Sequence, residues 1–403
     1  MASPLHRFIA SSLLAFLYLP LDDRPPNWAP CTWGLVVCPP REVYRGPEGA
    51  DLFRLRAWLL ATPGEGVVAS LDALAYGGLL QSRHLPLPPE DALARLAPLL
   101  SWRVRYGGEV LLFGVVPRWD ATRRERNLGV LRSLGSWTGL KGIYLEAVWD
   151  DALRNSPAPK EAEALPYPAR PGADEAGQVL LLRALRPGLR VAAVYGEGLE
   201  AGRVTPYEGV PLARTLSGLL QSAKAEAVPL EADPDLVLYL YGGGDPRRAL
   251  LDLMRLMARH PVALADLSRV NRGEARLMAY LLDLGLYGRL AAYASWGTPA
   301  NNLGSALAQG GLFLRDSEGR LLRLAEAYLQ YWWGEVGRPL VRARFPEPLG
   351  EEARSVRGAF WEVELEGRRL LLEEVGFPWR RSFEAEFSYR LLPAEGRGVD
   401  LAP

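Results

Sequence analysis

Phe16-Leu-Tyr-Leu-Pro-Leu-Asp22-Asp23-Arg24-Pro-Pro-Asn27-Trp28 is the stretch from which the fold is read. A short apolar run of strand length stops at two carboxylates, a guanidinium, two prolines and an amide. Proline donates no backbone hydrogen bond and biases its predecessor away from helix, so Pro25-Pro26 must end a strand here. Asp22, Asp23, Arg24 and Asn27 are therefore delivered at the carboxyl end of a strand, which is where parallel α/β folds build their sites.

The same arrangement recurs down the chain. Strands are expected at Gly66–Leu71, Glu109–Val116, Gly142–Val148, Arg190–Tyr195, Asp235–Tyr241, Pro261–Ala265 and Leu290–Ala294. Their tips carry Asp72, Arg118, Asp150-Asp151, Tyr195, Asp245, Asp266 and Trp296. Amphipathic helical patterns separate them, for example Asp51–Ala61, Glu90–Arg105 and Asp174–Arg186. Strict alternation implies a parallel sheet. Eight such units over about 300 residues fit a (β/α)8 barrel. The alternative is two doubly wound α/β domains divided at the Pro/Ala-rich stretch Asn155–Pro171.

Beyond residue 312 the pattern changes. One more helix carries Tyr331-Trp332-Trp333, and Phe360–Leu365, Arg369–Glu373 and Ser382–Phe387 alternate as antiparallel strands do, with a turn at Glu366-Gly367. The expected division is an extension over 1–14, a (β/α)8-like domain over 15–320, and a helix with a small β appendage over 321–403. The tryptophan pair reads as core beneath that appendage.

Zero formal net charge leaves no electrostatic case for nucleic acid or an anionic membrane. The apolar run ahead of Leu19 is too short to span a bilayer and continues into the first strand, so a cytoplasmic protein with an extended amino terminus is expected. Cys31 and Cys38 show no paired zinc spacing and read as reduced, buried thiols. Gly196-Glu-Gly198 lacks the dinucleotide fingerprint spacing, and Gly242-Gly-Gly244 reads as a tight turn.

Carboxylates, arginines and aromatics on one face suit a polyhydroxylated ligand. Glycoside hydrolysis needs one carboxyl to protonate the leaving oxygen and another as nucleophile or base. Asp150 or Asp151 and Asp266 are the expected catalytic residues, with Asp22, Asp23, Arg24, Asp72 and Arg118 positioning the substrate. Clustered carboxylates could equally hold a divalent cation through oxygens alone, since the three histidines do not gather. A non-catalytic sugar-binding protein is the third reading.

Several motifs, taken in order, resemble the bacterial domain-of-unknown-function 4127 family. They are the opening Leu-Pro-Leu-Asp22-Asp23-Arg24-Pro with Asn27, Asp72-Ala-Leu-Ala-Tyr76-Gly77-Gly78-Leu with Arg83, Asp150-Asp151, and Gly172-Ala-Asp174-Glu175-Ala-Gly177. Tyr207-Glu208, Ala265-Asp266 with Asn271, Trp296-Gly-Thr298-Pro-Ala-Asn301-Asn302-Leu-Gly304 and Pro378-Trp379-Arg380-Arg381-Ser-Phe383-Glu384 complete the set. The resemblance brings no activity with it. It implies further site residues: Asn27, Tyr76, Arg83, Asp174, Glu175, Tyr207, Glu208, Asn271, Trp296, Thr298, Asn301 and Asn302. Asp174 and Glu175, and likewise Asn301 and Asn302, stand at helix starts, where capping competes with binding.

Overall fold

The computed structural model describes residues 15–149, 152–153 and 156–394. All eight expected strands form. They are β1 (Phe16–Leu19), β3 (Gly66–Ser70), β4 (Glu109–Val116), β5 (Ile143–Trp149), β7 (Arg190–Tyr195), β9 (Leu236–Tyr241), β10 (Val262–Asp266) and β11 (Ala292–Ala294). Three short strands join them: β2 (Val36–Val37), β6 (Ala169–Pro171) and β8 (Glu226–Ala227).

These short strands separate an open architecture from a closed one. A barrel would pair β5 with β7 and β11 with β1. Instead β2 takes the free edge of β1, β6 that of β5 and β8 that of β7. The described strands thus form two parallel sheets, β2-β1-β3-β4-β5-β6 and β11-β10-β9-β7-β8, in place of the expected barrel. Renumbered within its own half, each sheet contains the strand order 2-1-3-4-5 of doubly wound folds. In that order a ligand crevice opens at the switch point beside the first strand. Central strands are buried along their length, as parallel sheets covered on both faces require.

The Pro/Ala-rich stretch is not simply a linker. Residues 158–163 are helical, and Ala169–Pro171 is the sixth strand of the first sheet. A three-stranded antiparallel sheet, β12 (Val363–Leu365), β13 (Arg368–Gly376) and β14 (Glu386–Pro393), follows as expected, and its turn holds Glu366 and Gly367 at positive φ. Its last strand begins four residues later than the alternation suggests, which releases Ser382–Ala385 into a loop. Trp332 and Trp333 are buried beneath this sheet, Trp332 edge-on to Phe360 and Trp333 tilted against Phe377. Cys31 and Cys38 form a disulfide and are only half-buried, correcting the expectation of reduced, buried thiols. The two residues flank a short turn that brings their sulfurs together, a proximity that spacing alone did not specify.

Two helices join the halves. Helix α1 (Ala176–Leu185) covers the first sheet, α2 (Pro299–Leu312) lies on the second, and they pack on each other. Glycines make the approach close. A Cβ on Gly304 would sit 2.3 Å from Glu175 Cγ and 3.1 Å from Leu219 Cδ2, and one on Gly177 would strike the Tyr18 ring. Gln309 Nε2 donates to Gln178 Oε1 across the same seam at 3.3 Å. Gly304→Ala is therefore expected to destabilise the protein by about 1–3 kcal/mol through overpacking, read as a lower midpoint in urea with an unchanged m-value.

Candidate functional site

The β1 tip is a knot of charge. Arg24 is extended, as a residue before proline should be, and Pro25–Trp28 then turns through one helical turn. That turn brings Asn27 back onto Asp22, with Asn27 Nδ2 donating to Asp22 Oδ1 at 2.9 Å. Arg24 Nε donates to both Asp22 oxygens at 3.0 Å, while Nη2 and Nη1 grip Asp174 at 2.6 and 3.3 Å. Asn27 Nδ2 also reaches Asp174 Oδ1 at 3.0 Å. Burial works against the Arg24 charge, yet Asp174 and Asp22 hold its guanidinium above its ordinary value. Burial pushes the Asp22 carboxyl up, and the Arg24 contact opposes that push.

Asp23 points the other way. It accepts from Gly46 N at 3.1 Å and from Trp379 Nε1 at 2.7 Å, tying the first strand to a residue 356 positions later. Trp379 has the Arg24 guanidinium 5.5 Å and that of Arg381 4.7 Å from its ring centre. Trp379 is thus committed to cation–π contacts and is not a free stacking platform.

Other strand-tip acids are turned inward. Asp72 is buried, accepts from Val115 N at 2.8 Å and so links the ends of β3 and β4. Burial pushes its carboxyl up to about 6. Tyr76 is buried under the Arg126 guanidinium, 4.4 Å from its ring centre. Asp266 is buried and fully engaged: Oδ1 accepts from Ser268 N and Oγ, Oδ2 from Glu274 N and Tyr293 Oη. Burial also pushes Asp266 up. Asn302 donates to Asp266 O at 2.8 Å and accepts from Gly297 N at 2.9 Å. Together they shape the loops that present Asn271, which adopts φ 59°, and Trp296. Glu208 is buried and accepts from Ala300 N at 3.0 Å, capping the start of α2.

Glu175 lies deeper still, fully buried between Gly172 and Gly304. Arg170 bridges it at 2.6 Å to Glu146 at 3.0 Å.

In front of these scaffolding groups lies a cleft of about 550 Å³. Arg24, Arg83, Arg118, Asp174 and Tyr207 line it from the first half and its connection, and Asn271, Trp296, Thr298 and Asn301 from the second. The carboxyl ends of both sheets therefore share one opening. Asp22, Asp23, Asn27, Asp72, Tyr76, Glu175, Glu208, Asp266 and Asn302 stand behind that surface and hold it. Asp150 and Asp151 lie outside the described residues, between Trp149, the last residue of β5, and Leu153, which lines the cleft.

The carboxyl-terminal part adds a wall that strand-tip reasoning missed: Arg342, Glu347, Trp379, Arg381, Phe383 and Glu384. The only sequence signal was the Pro378–Glu384 motif. Arg342 Nε donates to Ser382 Oγ at 2.9 Å, and Ser382 donates through N and Oγ to Glu347 at 2.6 Å. The Ser382 bonds hold the Glu347 carboxyl below the usual range. Arg381 and Glu384 pair with each other.

Among the described residues no group of three or more histidine, cysteine, aspartate or glutamate side chains is arranged to hold a metal ion. The glycine-rich turns after β7 and β9 pack on each other, with Gly198 and Gly244 each meeting the other's backbone nitrogen within 2.7 Å of an added Cβ. That contact accounts for the glycines without a phosphate. A depression of about 870 Å³ at the amino end of the second sheet, lined by residues such as Leu230, Asp252 and His260, holds none of the strand-tip residues.

The family model described as "Protein of unknown function (DUF4127)" matches residues 16–127 and 121–388. The chain belongs to that family. The matched residues span both sheets and the third wall of the cleft. No curated protein matches the chain. No helix among the described residues is long and apolar enough to cross a membrane.

Burial pushes the Glu175 carboxyl from 4.5 up to about 7, with Arg170 opposing. Below pH 4.5 it is protonated in folded and unfolded chains alike. Between these values the folded chain holds a proton that the unfolded chain has lost, so stability falls as pH rises toward 7. Glu175→Gln is expected to remove that part of the slope. Its melting temperature should gain on the wild type by a few degrees between pH 5 and pH 7.5, measured by calorimetry across pH.

Proposed function

We propose that the protein is a carbohydrate-active hydrolase that acts on a glycoside held in the cleft between the two sheets. The observation that carries this reading is the composition of the cleft wall: carboxylates, arginines, amides and aromatics converge there from three parts of the chain. Hydroxyl-rich ligands are bound by such mixtures of bidentate hydrogen-bonding groups and ring faces. Phe383 is 44% exposed within the cleft, and Trp119, 62% exposed, follows the cleft residue Arg118 in the chain. Each has one arginine near its ring, Arg338 5.6 Å from the Phe383 centre and Arg124 5.7 Å from that of Trp119, and each keeps far more exposed surface than Trp379.

The burial and four hydrogen bonds of Asp266 support a positioning role for it rather than proton transfer. Glu347, kept ionised by Ser382, suits the base or nucleophile. The acid is assigned to the Asp150-Asp151 pair, whose chain neighbour Leu153 borders the same opening. Asp174, gripped by Arg24 and Asn27, suits substrate positioning.

A second reading, a sugar-binding protein without turnover, is favoured by one fact. Asp174, Glu347 and Glu384 are each already engaged by neighbouring donors. Ligand-induced thermal stabilisation without product would mark it.

Screening the purified chain against chromogenic glycosides is expected to give turnover. Glu347→Gln and Asp151→Asn should each then lower kcat at least about a hundredfold, with melting temperatures within about two degrees of the wild type. Undiminished kcat in both variants would remove these assignments, and absence of hydrolysis on every substrate that stabilises the protein would leave the binding reading.

A further inference from the structure

Beside the cleft lies a buried cation, Arg338, that forms no ion pair among the described residues. Helix α3 (Arg338–Arg344) presents Arg338 and Arg342 one turn apart, on one face. Arg338 is 8% exposed. Its Nη2 donates to Asn271 O, and its guanidinium lies 5.6 Å from the centre of the Phe383 ring.

The nearby carboxylates are engaged elsewhere. Glu335 pairs with Arg272 at 2.9 Å and Arg269 at 3.2 Å, Asp174 with Arg24, and Glu384 with Arg381. Arg338 forms no ion pair among the described residues. Burial, with Arg342 and Arg272 adding repulsion and Glu335 and Glu384 opposing in part, pushes it down to about 10. A buried guanidinium gains most from direct pairing, so a ligand carboxylate in contact with Arg338 supplies the ion pair that the more distant Glu335 and Glu384 do not.

The space beside it is small. Arg338 borders a recess of about 30 Å³ together with Asn271, Phe383, Trp296, Arg24, Asp174 and Glu384, and the last six also line the main cleft. That is room for a small group, and a planar carboxylate is the anion that pairs bidentately with a guanidinium. Farther along the wall, Asn301 Oδ1 is buried without a hydrogen-bond partner, an acceptor for a hydroxyl.

We propose that this recess is a carboxylate subsite, so that the substrate is an acidic glycoside whose uronate-type carboxylate is received by Arg338, with Arg342 flanking it. The inference rests on the carbohydrate reading and narrows it to one class. Phosphorylated sugars share the anionic chemistry, and the test separates them.

The full chain would be titrated with a galacturonate trisaccharide, the matching neutral galactose trisaccharide, glucose 6-phosphate and acetate, following melting temperature and heat of binding. The uronate is expected to bind at least about tenfold more tightly than its neutral counterpart, in line with one charge-assisted bond. Arg338→Gln should abolish that preference, Arg342→Gln should reduce it, and Arg338→Lys, which keeps the charge and tests folding, should retain part of it. Acetate alone should raise the wild-type melting temperature and leave that of Arg338→Gln unchanged.

Equal binding of the neutral and acidic sugars overturns the carboxylate subsite and leaves the carbohydrate reading standing. Arg338-dependent protection by acetate without added affinity from any sugar keeps the subsite and removes the carbohydrate reading. Preference for glucose 6-phosphate over the uronate overturns the carboxylate assignment, as does indifference to every anion.

Discussion

Arg24 is the side chain on which the arrangement turns. Its guanidinium is buried, and a buried guanidinium must be paired in several directions or it destabilises the fold. Asp22 satisfies it from the same strand tip, Asp174 from the segment leading into α1, and Trp379 offers a ring face from the third part of the chain. Because α1 packs closely on α2, whatever holds residue 174 also holds the second sheet against the first. One charge therefore connects the opening strand, the seam between the halves and the rear wall of the cleft.

The acids of the molecule divide by this logic. Those turned inward, Asp72, Glu175, Glu208 and Asp266, meet backbone nitrogens or a buried arginine and shape loops. Those that border the opening, Asp174, Glu347 and Glu384, are held by donors from the cleft wall. Only Asp72 and Asp266 follow an apolar run in sequence; the others stand in turns and loops, so burial and hydrogen-bond partners, not sequence pattern, separate the two groups.

Much of the framework could be read from residue order. All eight main strands form where short apolar runs end in polar tips, because hydrophobic runs of that length bounded by glycine, proline and charge have few other places to go. The tryptophan pair lies under the β appendage for the same reason. Open sheets rather than a barrel followed from β2, β6 and β8, which span two or three residues each and carry no periodicity to detect. They are edge strands whose pairing is chosen by the neighbour's unsatisfied backbone, not by their own side chains. The Cys31–Cys38 bond is legible only once the intervening turn is folded.

Which residue types gather at strand ends follows from local sequence, since proline, glycine and charge must terminate parallel strands and so collect on one side. Family membership is also carried by residue order, over residues 16–127 and 121–388. Tertiary structure alone decided which of those residues face a ligand. Asp266 and Arg24 both stand at strand tips and are both held by several hydrogen bonds, yet only Arg24 also lines the opening. It also decided that Arg338, unremarkable in sequence, is a buried cation with no ion pair among the described residues. Desolvation and pairing depend on neighbours hundreds of residues away, and no local pattern encodes them.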